Sequence, residues 1–402
     1  MFRKLFAGSL ICLTTVSFAG AGEIDLLVQK LMEKNVLTGG EAQQIITITN
    51  ENVRKEIAKG ESKSAPAWSQ NVKLSGDLRL RYQREDKGNN YWRDRVRLRA
   101  RLKAEGKVND KAMIVMGLAS GSTDPRSTNQ TFEKTFETKG IQLDYAYLQY
   151  ALPCGSHLFG GKFPVKSIIW TPSDLMWDGD ITLEGFGFSK DGKIGGTEVF
   201  LNAGYLIVEH LGASGNATMI ILQPGFSAGL TDTISLKLAG SIYNFDNIKG
   251  RNLTYSAGTN TVDLTKGGLK YNFNCLSLGF ELSFAELFTQ KFTLFSEMVT
   301  NPDPGKSNQG FLGGVKFGCA KVANLGDWQV KAMYRELQAD AWIDAFPDSD
   351  ALEGDTDNQG IEISGEYGIG KGMYIGLDYY NIGNVGESNG KSLAQIDIGA
   401  KF

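Results

Sequence analysis

Histidine and cysteine are scarce in this sequence, and their scarcity removes much chemistry at the outset. His157 and His210 are the only histidines, and the four cysteines form no CxxC or CxxCH pattern. Zinc centres, haem attachment and iron–sulfur clusters need such ligands, so no cofactor is expected. One histidine falls at an expected turn and the other at a strand end, which gives no catalytic triad and argues against an enzyme. Proline is scarce as well, nine against 49 glycines, a balance that suits many strands joined by tight turns. Past the N-terminal leader no apolar run approaches about 18 residues, so no transmembrane helix is expected. The formal charge is −3, which argues against nucleic-acid binding.

The first residues carry a targeting pattern. Arg3 and Lys4 precede a short apolar stretch from Leu5 to Val16, followed by Ser17-Phe18-Ala19 and Ala19-Gly20-Ala21. This predicts a signal peptide over residues 1–21 and an exported protein. Ser9-Leu10-Ile11 before Cys12 is a poor lipobox, so no lipoprotein is read. Losing Arg3 and Lys4 with the leader takes the formal charge from −3 to −5. Cys154, Cys275 and Cys319 then remain, an odd number that allows at most one internal disulfide. Residues 22–60 place Ile24, Leu27, Val28, Leu31 and Met32 at helical spacing. Thr38-Gly39-Gly40 breaks the pattern, and Ala42, Ile45, Ile46, Val53 and Ile57 resume it. This predicts a helical hairpin extension in the periplasm, too short to bury a core of its own. Residues 61–71 read as a linker.

From residue 72 the period changes to two. Leu74, Leu78, Leu80 and Tyr82 alternate with Lys73, Asp77, Arg79, Arg81 and Gln83. Similar segments lie near 91–106, 110–120, 140–152, 156–164, 181–190, 197–210, 216–228 and 232–245. The rest lie near 268–284, 289–300, 310–321, 326–339, 359–368, 372–382 and 391–402. Short links alternate with long ones, such as 121–139, 246–267 and 340–358. This pattern predicts an all-β fold: a transmembrane antiparallel β-barrel of about 16 strands over residues 72–402, in the cell outer membrane and in contact with its lipid. A hydrophobic content of 42% is compatible, because lipid-facing and lumen-facing residues alternate. Trp92, Tyr82, Tyr145, Tyr147, Phe292, Tyr374 and Phe402 suit interfacial girdles. The closing strand, ending in Phe402, resembles the signal read by the outer-membrane barrel-assembly machinery, an expected partner.

Two segments carry the functional reading. Arg93, Arg95, Arg97, Arg99, Arg101 and Lys103 share one face of one strand, with Arg79 and Arg81 on its neighbour. Facing lipid, each would cost roughly 2–4 kcal/mol at the midplane, so the alternation points them into the lumen. Packed so densely they repel unless water or anions screen them, which predicts a wet lumen rather than a dry, plugged one. The third long link, 165–180, carries Ile168, Ile169, Trp170, Leu175, Met176 and Trp177 together with Asp174, Asp178 and Asp180. Such apolar anchors predict a loop folded inward against the wall, its carboxylates facing the arginines across a narrow waist.

The arginine segments, Gly76-Asp77-Leu78-Arg79-Leu80-Arg81-Tyr82 and Arg93 to Arg101, together with residues 160–188, resemble the putative-porin family of Gram-negative outer membranes. The resemblance implies a sixteen-stranded barrel with an inward third loop, passing small hydrophilic solutes and ions by passive diffusion, and a homotrimer. It makes Arg79, Arg81, Arg95, Arg97 and Arg99, with Arg101 on the same face, the basic wall, and Asp174, Asp178 and Asp180 the acidic eyelet. The helical extension departs from well-known general porins and leaves the trimer open. Two further readings stand beside diffusion. The arginine excess suits an anion- or substrate-specific channel for phosphate or carboxylate, and the N-terminal helices suit a structural anchor.

Overall fold

Leu78 and Leu80 are 50% and 45% exposed, whereas Arg79 and Arg81 beside them are 9% and 4% exposed. A water-soluble sheet would show the reverse. The computed structural model describes residues 28, 30–32, 34, 37–58 and 71–402, apart from 90, 213, 214, 266, 388 and 389. The expected leader and residues 61–70 of the expected linker lie outside the described residues.

The chain divides into two units, Met1–Asn71 and Val72–Phe402. In the first, helix α1 (Gly39–Ala58) opens on a capping box. Thr38 Oγ1 accepts the Glu41 N–H at 3.4 Å, and Glu41 Oε2 accepts the Thr38 N–H at 2.9 Å. Gly39 and Gly40 are therefore the first turn of α1, and the break expected at Thr38-Gly39-Gly40 falls at residues 37 and 38, where the Thr38 side chain satisfies one of the turn's free N–H groups.

The second unit is a closed antiparallel barrel of sixteen long strands and one short one. The first eight are β1 (Val72–Asp86), β2 (Trp92–Lys107), β3 (Ala112–Ser120), β4 (Gln130–Thr131), β5 (Ile141–Leu152), β6 (Ser156–Pro164), β7 (Thr182–Ile194) and β8 (Thr197–His210). Next come β9 (Asn216–Gly229), β10 (Ile234–Asp246), β11 (Asn274–Leu287), β12 (Gln290–Thr300) and β13 (Gln309–Gly318). The last four are β14 (Trp328–Leu337), β15 (Asn358–Gly370), β16 (Met373–Asn384) and β17 (Lys391–Lys401). Each long strand pairs with its neighbours in sequence, and β1 closes on β17 from Asp77↔Lys401 to Glu85↔Leu393. Closure leaves no unpaired edge, the condition a sheet must meet to sit in lipid. The two-residue β4 fills the partner position on β2 above the end of β3, at Arg97 and Leu98.

The sixteen expected segments coincide with the sixteen long strands to within a few residues. The largest difference is at β11, which starts at Asn274 and not 268. There Leu269 bonds back to Gly250 and Arg251 within the preceding loop, so its alternation serves a local pairing. One rim carries turns of two to four residues, and the other carries links of five to 27, among them all the long loops. The exception on the turn rim is the nine-residue link 319–327, where Asp327 Oδ2 accepts the N–H groups of Ala323 and Asn324 at 3.0 and 2.8 Å.

Of the aromatics expected in girdles, Trp92, Tyr82, Phe292 and Phe402 face outward. Phe284, Phe292, Phe317 and Trp328 form a continuous outward row near the turn rim, with ring centroids 5.5–6.4 Å apart. Tyr145, Tyr147 and Tyr374 instead face inward. Tyr147 packs on Phe159 and Phe163 of the internal core, Tyr145 lies over Gly117, and Tyr374 over Gly399. A ring near a strand end goes to whichever face its register dictates.

Candidate functional site: a charged lumen and its inward loops

The apolar core lies inside the barrel and to one side. Four long loops matter: L2 (121–140), L3 (165–181), L5 (247–273) and L7 (338–357). Ile168, Ile169, Leu175, Met176 and Trp177 of L3 pack on inward residues of β6 to β14 and on Ala341, Trp342 and Ile343 of L7. Trp177 stacks on Phe346 at 5.0 Å and meets Trp342 edge-on at 5.4 Å, while Trp342 Nε1 donates to the Met176 carbonyl at 2.7 Å. Glycines in the wall receive the loop. A Cβ on Gly187 or Gly204 would lie 2.7 or 2.8 Å from Ile168, and one on Gly279 3.0 Å from Trp170 and 3.1 Å from Pro172. Gln223 completes the seat, accepting the Trp170 N–H at 2.8 Å and donating to the Trp170 carbonyl at 2.9 Å.

The opposite side, β16, β17, β1 and β2, carries the arginine ladder. Register sets Arg79 opposite Arg99 and Arg81 opposite Arg97, so the repulsion expected from the sequence has to be answered. It is answered largely by carboxylates and not by water alone. Arg81 grips Asp397 with Nε and Nη2 at 2.7 and 2.8 Å and reaches Asp350 of L7 at 2.9 Å. Arg79 pairs with Asp397 at 3.3 Å and donates to Asn129 of L2 at 2.8 Å. Asp77 holds Arg99 at 2.9 Å and Arg101 at 2.8 Å, and Glu85 holds Arg93 at 2.7 Å and Arg95 at 3.2 Å. Low local dielectric strengthens each such pair, and it is also what would make an unpaired member costly. So many inward cations therefore do not by themselves demand a wet lumen, contrary to the expectation from the sequence. Closing the barrel brings β17 and the inward loops against the ladder, and their acids neutralise most of it.

The three loop acids go to different places. Asp180 meets the ladder: Oδ1 lies 3.3 Å from Arg101 Nη1, and Oδ2 accepts the Thr128 N–H and Oγ1–H at 3.0 and 2.9 Å. Asp178 ties L3 to L7 instead. Its N–H donates to the Phe346 carbonyl at 2.7 Å, and Oδ2 accepts the Ser349 N–H at 2.8 Å. Burial, then the charge of Asp180, raises its carboxyl to about 8, although the N–H bonds from Asp180 and Ser349 pull the other way. Asp174 is not brought to the arginine ladder. It pairs with the buried Arg335 of β14; burial would raise its pKa, but Arg335 and Lys331 together hold it below the ordinary value. Asp350, which sequence reasoning missed, takes the expected place opposite the ladder. Burial works against its charge, but Arg81, with Arg97 adding to it, more than offsets this and holds its carboxyl below the ordinary value.

Asp174, Asp348 and Glu362 present carboxylate oxygens within 4.8 Å of one another, the one cluster among the described residues with the donors to hold a metal. Arg335 already pairs with Asp174, and Lys331 lies 2.6 Å from Glu362. The arrangement is thus a charge network that fixes L3 and L7 to β14 and β15. Asp77 and Glu85 could have been found in the sequence, since both fall in the inward register of β1. Asp397 could have been found only by closing β17 on β1, and Asp350 carried no signal.

A five-substitution variant of the porin of Rhodopseudomonas blastica is similar in structure, with 13% identity, coverage of 82% of this chain and 100% of that one, and a TM-score of 0.46. A triple mutant of the same porin gives 12% identity, the same coverage and a TM-score of 0.46. No curated protein matches the chain. The family described as "Putative porin" matches residues 86–274 and 271–402, from the end of β1 to the C-terminus, and the protein therefore belongs to that family.

Proposed function

We propose that the protein is an outer-membrane porin through which small hydrophilic solutes and ions diffuse passively. The observation that carries this reading is the inversion of the barrel: apolar side chains outside, charged ones inside, around a sheet closed without an edge. In this reading residues 1–21 direct export, 22–60 form a periplasmic extension and 61–71 a linker. The turn rim faces the periplasm and the loop rim the exterior. The barrel-assembly machinery inserts the barrel, which assembles as a homotrimer. Solutes pass along the wall of Arg79, Arg81, Arg95, Arg97, Arg99 and Arg101, and the loop acids Asp180 and Asp350, ion-paired to Arg101 and Arg81, edge the same passage. Opposed charge there favours hydrated over apolar solutes. Asp174 and Asp178 act instead by holding L3 in place.

The test is single-channel recording of the purified protein in planar bilayers under a KCl gradient. Stepwise ohmic currents are expected, and their absence would sink the channel reading. The reversal potential reports which wall dominates: an anion-selective value that collapses on Arg97→Glu assigns selectivity to the arginines.

A further inference from the structure

We infer that Arg95, Arg97 and Ser127 form a subsite for a small oxyanion, phosphate or sulfate, on the loop side of the arginine ladder. The inference deepens the channel reading and rests on it for solute access. The three residues share a cavity of about 250 Å³ with Gln83, Glu85 and Ser349. Six acids line it and five are already engaged, Asp86 by the Gly88 N–H at 2.8 Å. Glu85 holds Arg93, Arg95 and Lys87; Asp350 holds Arg81; Asp124 holds Arg126; and Glu353 pairs with Lys87. Asp355, also on the cavity, acts on Lys391, Arg126 and Lys87, and burial raises it to about 6. Among the described residues no carboxylate lies within ion-pair distance of Arg97, and Asp350, already engaged by Arg81, acts on it only at longer range. The Arg97 terminal nitrogens reach only neutral oxygens, Gln83 Oε1 at 3.4 Å and Ser127 Oγ at 3.3 Å.

Two guanidinium groups point to what would fill the space. The Nε atoms of Arg95 and Arg97 are buried without an acceptor and closed to a solute, so the terminal nitrogens are the donors left to bind one. The two residues alternate on β2, so their backbone positions lie about 7 Å apart. A tetrahedral oxyanion, accepting one hydrogen bond of about 2.8 Å from each side, bridges such a span and leaves further oxygens for Ser127. Chloride offers a single acceptor centre and bridges less well.

The experiment uses the full-length protein in bilayers of fixed ionic strength, with inorganic phosphate or sulfate replacing part of the chloride. A saturable block of chloride current by both anions is expected. Arg97→Gln should raise the half-blocking concentration about tenfold, the loss expected for one charge-assisted hydrogen bond. Lys237 of β10 lies over the Trp170 ring at 4.7 Å, away from the ladder, and Lys237→Gln removes one positive charge there and should leave that concentration unchanged. A block that never saturates, or one equal in wild type and R97Q, overturns the subsite. If no current is seen at all, the channel reading fails separately, and calorimetric titration of the detergent-solubilised protein with phosphate decides the subsite. Heat present in wild type and lost in R97Q supports it; no heat, or equal heat, overturns it.

Discussion

Arg81 of β1 and Asp350 of L7 stand 2.9 Å apart, and the same guanidinium grips Asp397 of β17 with its other two nitrogens. One side chain therefore fastens the barrel seam and an inward loop together. Arg81 and Asp397 are each 4% exposed, so removing the arginine leaves Asp350 without its ion-pair partner and Asp397 with only Arg79. Arg81→Ala is expected to cost about 3–5 kcal/mol, measured by urea unfolding of the refolded barrel. Arg81→Lys, which keeps the charge but loses the fork, should fall between the two. An alanine variant as stable as wild type would show that the pair contributes nothing net.

The seat of L3 on the wall makes a second expectation. Gly279→Val places a side chain where Trp170 and Pro172 now lie, 3.0 and 3.1 Å from the ideal Cβ. Overpacking of this kind costs about 1–3 kcal/mol, and it should be met by displacement of L3 and not by failure of the sheet. Limited proteolysis within 165–181 should accelerate while the barrel itself stays resistant. Unchanged cleavage would place the loop elsewhere.

The junction of L3 and L7 should respond to pH. The folded pKa of Asp178, about 8, lies above the ordinary value of 3.8. The proton it retains therefore stabilises the junction fully at low pH, and this contribution fades as pH rises from about 4 to about 8. Asp350 shifts the opposite way, so its contribution is lost only in strong acid. Exchange of the Ser349 amide, which donates to Asp178, should quicken across that range beyond the intrinsic rise. Asp178→Asn should abolish the excess, and an excess surviving in that variant would assign the effect to another group.

The outer face gives the fourth expectation. Leu80 sits near the middle of β1 and Trp92 at the start of β2, both outward. Leu80→Arg should cost roughly 2–4 kcal/mol on refolding into lipid, and Trp92→Arg about 0–1. Equal costs at the two positions would argue that no apolar slab surrounds the barrel.

How much was legible in the sequence differs between wall and lumen. Strand number, strand placement and the inward direction of the arginines follow from alternation alone, because a side chain's face depends only on its parity along the strand. The same parity already placed Asp77 and Glu85 beside the ladder. The girdle assignment failed for Tyr145, Tyr147 and Tyr374 where composition was used and parity was not.

The destinations of the loop acids were not legible. Asp174, Asp178 and Asp180 lie within seven consecutive residues, yet they reach β14, L7 and β2 respectively. A loop has no period, and its course is set by where Ile168, Trp170 and Trp177 find glycine gaps and aromatic partners on strands far away in the chain. By itself, then, the sequence determined a closed barrel with its charges turned inward. Only the tertiary structure decided which acid answers which arginine, because that depends on the β1–β17 seam and on loops packed across the lumen, and it left Arg97 without a carboxylate of its own.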